Sequence, residues 1–188
     1  MATLLNAPAR ASDEDPRQYL IFTLDGESLA VETLSVKEII EYGHVTTVPM
    51  MPACIRGVIN LRGTVVPVMD LKARFRRGST AVTRRSCIVI VELGEESEQQ
   101  LIGVVVDAVS EVLEIPASQI EPPPAFGAHM RSDFIRGMGK VGGQFVVLLE
   151  PDRVLALDEL SELALDELSE LALDAQAAQA ASAPALAA

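Results

Sequence analysis

The sequence predicts an all-β protein of about ten short strands. Three observations carry this. The apolar runs are short and rich in β-branched residues, as in Ser86-Cys-Ile-Val-Ile-Val-Glu-Leu93 and Leu101-Ile-Gly-Val-Val-Val-Asp107. Turn formers separate the runs at close spacing, as at Asp25-Gly26, Gly63, Gly94 and Gly142-Gly143. The hydrophobic fraction of 49% suits a real core, and with aromatics at 4% and no Trp that core must be aliphatic. Close-spaced short strands fit barrels or a sandwich better than a parallel α/β sheet. Ten strands in roughly 140 residues would fit two five-stranded barrels, but periodicity alone does not choose between these and one sandwich.

Residues 1–15 are small and polar and read as a disordered lead. Tyr19 to Leu24 and Glu27 to Glu32 flank Asp25-Gly26 and read as a hairpin. Leu34 to Tyr42 fits neither strict alternation nor a long helix, and reads as a short helix or turn exposing Lys37, Glu38 and Glu41. Val45 to Met50 reads as a short strand stopped by Pro49 and Pro52. Ile55 to Leu71 is the central hairpin: two β-branched runs meet at Gly63, with Arg62 presented beside the turn. Ser86–Leu93, Leu101–Asp107 and Val109–Ile115 continue the strands, and Phe134–Gly139 pairs with Gln144–Leu149. Pro151 to Leu160 reads as a helix with proline at its first position.

The remaining tail repeats itself: Leu-Asp-Glu-Leu-Ser-Glu-Leu-Ala occupies 157–164 and again 165–172. Eight residues overshoot two helical turns, so the leucines would wind around a straight helix rather than hold one seam. Residues 175–188 are mostly Ala and Gln and read as disordered. The chain carries a net charge of −12, but seven acids and no base follow Arg153, which leaves 20 acids against 15 bases in the body. That balance argues against a nucleic-acid partner. Lys72, Arg74, Arg76, Arg77, Arg84 and Arg85 form a basic cluster, read as a solvated loop or a docking patch for an acidic partner.

Catalytic chemistry finds no support. Cys54 and Cys87 sit in or beside apolar runs and read as buried reduced thiols. His44 and His129 lack metal-ligand spacing, so no metal and no cofactor is expected. Gly137-Met-Gly139-Lys-Val-Gly142 matches a dinucleotide fingerprint, but a strand follows it where a helix is required. Asp70 and Asp107 each end an apolar strand and read as caps or turn formers. The start of the chain has no secretory pattern, and no apolar run reaches the ~20 residues of a membrane helix. A cytoplasmic binding protein is the expectation.

Taken in order, Gln18–Leu24, Val36–Ile39, Ile55–Leu71 with its Asn60-Leu-Arg-Gly63 centre, Gly103–Leu113, Ile120–Pro124 and Phe134–Gly139 before Leu148-Leu-Glu150 resemble one family, the CheW-like chemotaxis coupling proteins. The resemblance covers about residues 16–156, leaving a 157–188 tail outside it. It implies two SH3-like five-stranded β barrels packed together, with short helices and a C-terminal helix. It also implies a non-catalytic adaptor that joins the cytoplasmic tips of methyl-accepting chemoreceptors to the regulatory domain of the histidine kinase CheA, at membrane-associated arrays and without entering the membrane. The alternative is a CheW-like module of a non-flagellar system, serving pili or another output. By position, the resemblance assigns Glu38 and Arg62 as a charged receptor-side pair, expected to lie close together and to orient one another at the groove. It places Val36, Ile39, Gly57 and Asn60 in or near that surface, and Cys87 near the groove between the barrels that takes the receptor tip. The acidic Gly94–Gln100 turn looks longer than the family's.

Overall fold

The computed structural model describes residues 15–94, 98–124 and 131–157. The expected lead and the repeat tail beyond Leu157 lie outside those residues; of the expected Pro151–Leu160 helix only Pro151–Val154 is helical, and residues 155–157 have already left the helix. Eleven strands are present: β1 Arg17–Leu24, β2 Glu27–Glu32, β3 Val36–Glu41, β4 Ile55–Leu61, β5 Thr64–Asp70, β6 Cys87–Leu93, β7 Gln100–Val106, β8 Ala108–Ile115, β9 Ile120–Glu121, β10 Ile135–Val141 and β11 Gln144–Leu149. Two single-turn helices follow the hairpins, α1 Leu71–Arg74 after β5 and α2 Pro151–Val154 after β11.

The strands form two sheets. One runs β3-β6-β7-β5-β4, and the other β8-β1-β2-β11-β10-β9. In each, one parallel contact joins two antiparallel parts: Val68 of β5 beside Gly103 of β7, and Ala30 of β2 beside Leu148 of β11. The fold is all-β, two SH3-like barrels, as the resemblance implied. Barrel one is built from both ends of the chain, and barrel two from its uninterrupted middle, residues 36–106.

Alternation along three strands explains the packing. In β1, Tyr19 and Ile21 fill barrel one, while Leu20, Phe22 and Leu24 point into the seam between barrels. In β6, Ile88 and Ile90 fill barrel two, while Val89, Val91 and Leu93 join the same seam. Strand β7 does likewise, with Val105 inward and Ile102, Val104 and Val106 in the seam. Strands buried on both faces read as continuous apolar runs, which is why these three stand out in the sequence.

Two expectations are corrected. Leu34–Tyr42 is not a helix: a 3-10 turn at Thr33–Ser35 leads into β3, which pairs antiparallel with β6. A bulge between Val36 and Glu38 breaks the alternation, and that break disguised the strand. Val45–Met50 is not a full strand: it contributes one bridge, Thr46 to Val58, which joins the β3 side of barrel two to β4.

That bridge explains Gly57. Its φ is +146°, and a Cβ added there would lie 2.1 Å from the Thr46 carbonyl oxygen. Only a residue without a side chain lets the crossing segment approach so closely.

Asp70 is the polar counterpart. Its buried carboxylate accepts from the Lys72 amide at 3.0 Å, capping α1, from the Thr80 amide at 2.8 Å and hydroxyl at 2.7 Å, and from Arg56 Nη2 at 2.8 Å. Arg56 also donates to the Thr80 carbonyl. The sequence expectation of a strand-end cap holds. One carboxylate also fixes the whole connection from α1 to β6. Burial alone would raise the Asp70 pKa, but the Thr80 and Arg56 hydrogen bonds outweigh it and hold the group below its usual value.

Two predictions follow from these contacts. Gly57→Ala should lower stability by about 3 kcal/mol, seen as a fall in Tm of roughly 10 °C. A carboxyl with a depressed folded-state pKa stabilises above its unfolded pKa and loses that contribution as pH falls through the folded value. Asp70→Asn should therefore destabilise the chain at pH 7 by about 3 kcal/mol, by leaving Arg56 partly buried and uncompensated. It should also flatten the loss of stability below about pH 4, measured by denaturant melts across pH.

Candidate functional site

The central hairpin turns on two residues, Arg62 and Gly63, with φ of +50° and +88°. Both therefore sit in the left-handed region required by the tight turn that matches strand twist. Asn60 Oδ1 accepts from the Gly63 amide at 2.7 Å and fixes the loop. Gly63 suits this conformation and Arg62 does not, because a Cβ makes the left-handed region costly.

From that turn the Arg62 guanidinium reaches across to β3. Nη1 donates to Glu38 Oε1 at 2.7 Å and Nη2 to Oε2 at 2.8 Å, a two-pronged pair. Glu38's hydrogen bonds hold the guanidinium above its usual pKa. The partners are unequal: the Arg62 side chain is 77% exposed and Glu38 only 23%. Glu38 thus anchors, and Arg62 is the face that solvent meets. β3 and the β4–β5 hairpin are opposite edges of the five-stranded sheet. The pair therefore spans the open seam of barrel two at one end, and the Thr46–Val58 bridge closes it further along.

Beside the pair lies a groove lined by Lys37, Thr64, Val65, Pro67, Glu92, Gln100 and Leu101. Lys37 and Glu92 pair across its wall at 3.0 Å. Val65 is 67% exposed, an apolar side chain facing water at the groove's edge.

The residues assigned by resemblance are distributed unevenly. Glu38, Arg62 and Asn60 come together, with Asn60 shaping the turn. Ile39 is exposed but points to the opposite side of β3 from Glu38. Val36 is half-buried against the seam cluster. Gly57 is buried at the Thr46 crossing, so it can only shape the strand beneath a surface. Cys87 is opposite Glu41, three residues along β3 from Glu38, so about 10 Å away. It is a half-buried free thiol whose sulfur lies 3.4 Å from the Arg85 carbonyl. The charged pair belongs to barrel two alone, while the space between barrels is filled by the seam core.

An internal repeat went unread in the sequence. Ile55-Arg56-Gly57 recurs eighty residues on as Ile135-Arg136-Gly137, with the same bulge and the same following hairpin and helix. Val36-Lys37-Glu38-Ile39 recurs as Val109-Ser110-Glu111-Val112, again with a bulge. The repeat superposes Arg62 on Gly142, whose φ is +55°. Barrel one therefore fills this turn position with glycine, and barrel two with arginine.

The model of the CheW-like domain family matches residues 18–159. The chain belongs to that family. Chemotaxis protein CheW of Klebsiella aerogenes is 32% identical over 161 residues, spanning 86% of this chain and 95% of that protein. Chemotaxis protein CheW of Rhizobium meliloti is 31% identical over 143 residues, spanning 76% and 90%. The crystal structure of the scaffolding protein TtCheW from Thermoanaerobacter tengcongensis matches with a TM-score of 0.65 at 33% identity, covering 77% of this chain and 90% of that one. The family match ends inside the first copy of the tail repeat, so the second copy lies outside it. Among the described residues, no helix is long and apolar enough to cross a membrane, and no three metal-ligating side chains gather.

The repeat supplies an internal control for the site. If Arg62 is there for what it presents, Arg62→Gly should leave Tm unchanged or higher, since it restores the residue that the equivalent turn uses. A large fall in Tm would instead mark the pair as a structural closure of barrel two.

Proposed function

We propose that the chain is a non-catalytic chemotaxis adaptor that couples chemoreceptor cytoplasmic tips to the histidine kinase CheA. One observation of this structure carries the reading. Arg62 occupies a left-handed turn position where the equivalent turn of barrel one uses glycine, and it is held there by a two-pronged bond to Glu38. Asp25, Met50 and Arg76 share the left-handed conformation, but at Arg62 the strain is combined with an exposed charge held in a fixed orientation, and that combination supports a functional reading. The names of its relatives as chemotaxis and scaffolding proteins agree with this reading.

On this reading the pair orients the guanidinium toward the receptor tip. The neighbouring groove, with Val65 at its edge, offers apolar contact. Charge of this kind sets partner choice and orientation more than raw affinity. Ile39 and Val36 then belong to the same strand rather than the same contact. The kinase's regulatory domain would engage elsewhere on the barrels.

The experiment is co-sedimentation of CheA with receptor fragments through this chain. Arg62→Glu and Glu38→Arg should each reduce receptor binding at least about tenfold, a loss of ~1.4 kcal/mol, while Tm stays close to the parent value. The exchanged double variant, Glu38→Arg with Arg62→Glu, re-forms an ion pair but presents a carboxylate to solvent. It should remain defective if the partner reads the guanidinium. Full binding by all three variants would overturn the proposal.

A further inference from the structure

The end of barrel two opposite the Glu38–Arg62 pair is basic, and the structure accounts for only part of that charge. Lys72 pairs with Asp25 at 2.9 Å, and Arg77 with Glu27 at 2.6 Å, tying α1 to the β1–β2 turn of barrel one. Arg74 is buried, donating to the Val154 carbonyl at 3.0 Å and lying 4.8 Å over the Phe134 ring. Arg56 is committed to Asp70. Three guanidiniums remain: Arg76, Arg84 and Arg85 are exposed and make no ion pair with any described residue. They share one end of the barrel because Asp70 draws the 75–86 connection around itself through Ser79 and Thr80. The exposed acid Glu41 stands across from Cys87 and leaves the patch in positive excess.

The same chain carries the complement. Asp158, Glu159, Glu162, Asp166, Glu167, Glu170 and Asp174 follow α2 with no base among them. The segment starts close by: Val154 accepts from Arg74, and Leu157 packs on the seam cluster. Asp158 is four residues beyond Val154, so the acids begin within about 14 Å of that contact. Seventeen residues extend to roughly 55 Å, enough to cover the patch with slack.

We infer that segment 158–174 docks on the basic end of barrel two, with its carboxylates against Arg76, Arg84 and Arg85. The contact is electrostatic and salt-sensitive, because all three cations are exposed. Docking masks the cations at the end of barrel two remote from the Glu38–Arg62 pair. This does not depend on the adaptor reading.

The test uses the full chain and backbone amide resonances. In one variant the seven tail acids become Asn or Gln. In another, Arg76, Arg84 and Arg85 become Gln. At about 50 mM salt, where the screening length is ~14 Å, the amides of 76–86 should differ between the parent and the acid-neutralised variant. The difference should shrink at least twofold at about 500 mM salt. The tail amides should lose the same salt response in the arginine-neutralised variant. Three results would overturn the inference: identical 76–86 amides in parent and variant, changes concentrated at another face, or a difference that grows with protein concentration. The last would assign the contact to a second copy.

Discussion

Everything in this fold rests on three strands being buried from both sides. β1, β6 and β7 each send alternate side chains into a barrel and into the seam between barrels. The seam is therefore not an interface added to two finished units. It consists of the outer faces of the same strands whose inner faces make each barrel's core. A truncation in any of these side chains opens a void in one core while loosening the backbone that lines the other. The barrels are held as one body, and this gives the Glu38–Arg62 pair a fixed frame of reference.

Much of this was legible in the sequence because doubly buried strands are uninterrupted apolar runs, and because Asp25-Gly26 and Gly142-Gly143 announce their turns. The strand β3 was not legible. Its bulge at Val36 and Glu38 shifts the alternation by one residue, and periodicity fails wherever an extra residue is inserted. The single bridge at Thr46 was overread as a strand for a related reason: β-branched composition is shared by strands and by extended segments that only cross one. Local patterning also could not show that the chain's two ends build one barrel, because parallel pairing between β2 and β11 leaves no mark in either strand. That Glu38 and Arg62 lie close was expected from resemblance, not from spacing, since 24 residues and a change of sheet edge separate them; their two-pronged bond was not legible in the sequence. The repeat linking residues 55–57 to 135–137 was in plain view and would have exposed Arg62 as the exception.

The two barrels solve the same backbone problems with the same pieces, a bulge at Gly57 or Gly137 and a left-handed turn closed by Gly63 or Gly143. They differ in what is mounted on those pieces. Barrel two carries Arg62, and a buried Asp70 that organises a long connection. Barrel one carries Gly142 and Glu150 at the same places, with Pro151 starting its helix. Shared scaffold and unshared decoration separate the residues needed to fold from those free to recognise.

The permuted strand order also sets a clock on synthesis. Residues 36–106 contain every strand of barrel two, so that barrel can close while the chain is still being made. Barrel one cannot. Ala30 emerges early and must wait 118 residues for its neighbour Leu148, an interval of about 6–24 s at ribosomal speeds of ~5–20 residues per second. During that wait the β1–β2 hairpin has an unpaired edge and an apolar face, and β6 and β7 of barrel two are the first surface able to cover it. The middle of the chain is thus the part of the fold that offers the β1–β2 hairpin an apolar surface to pack on before β11 is made.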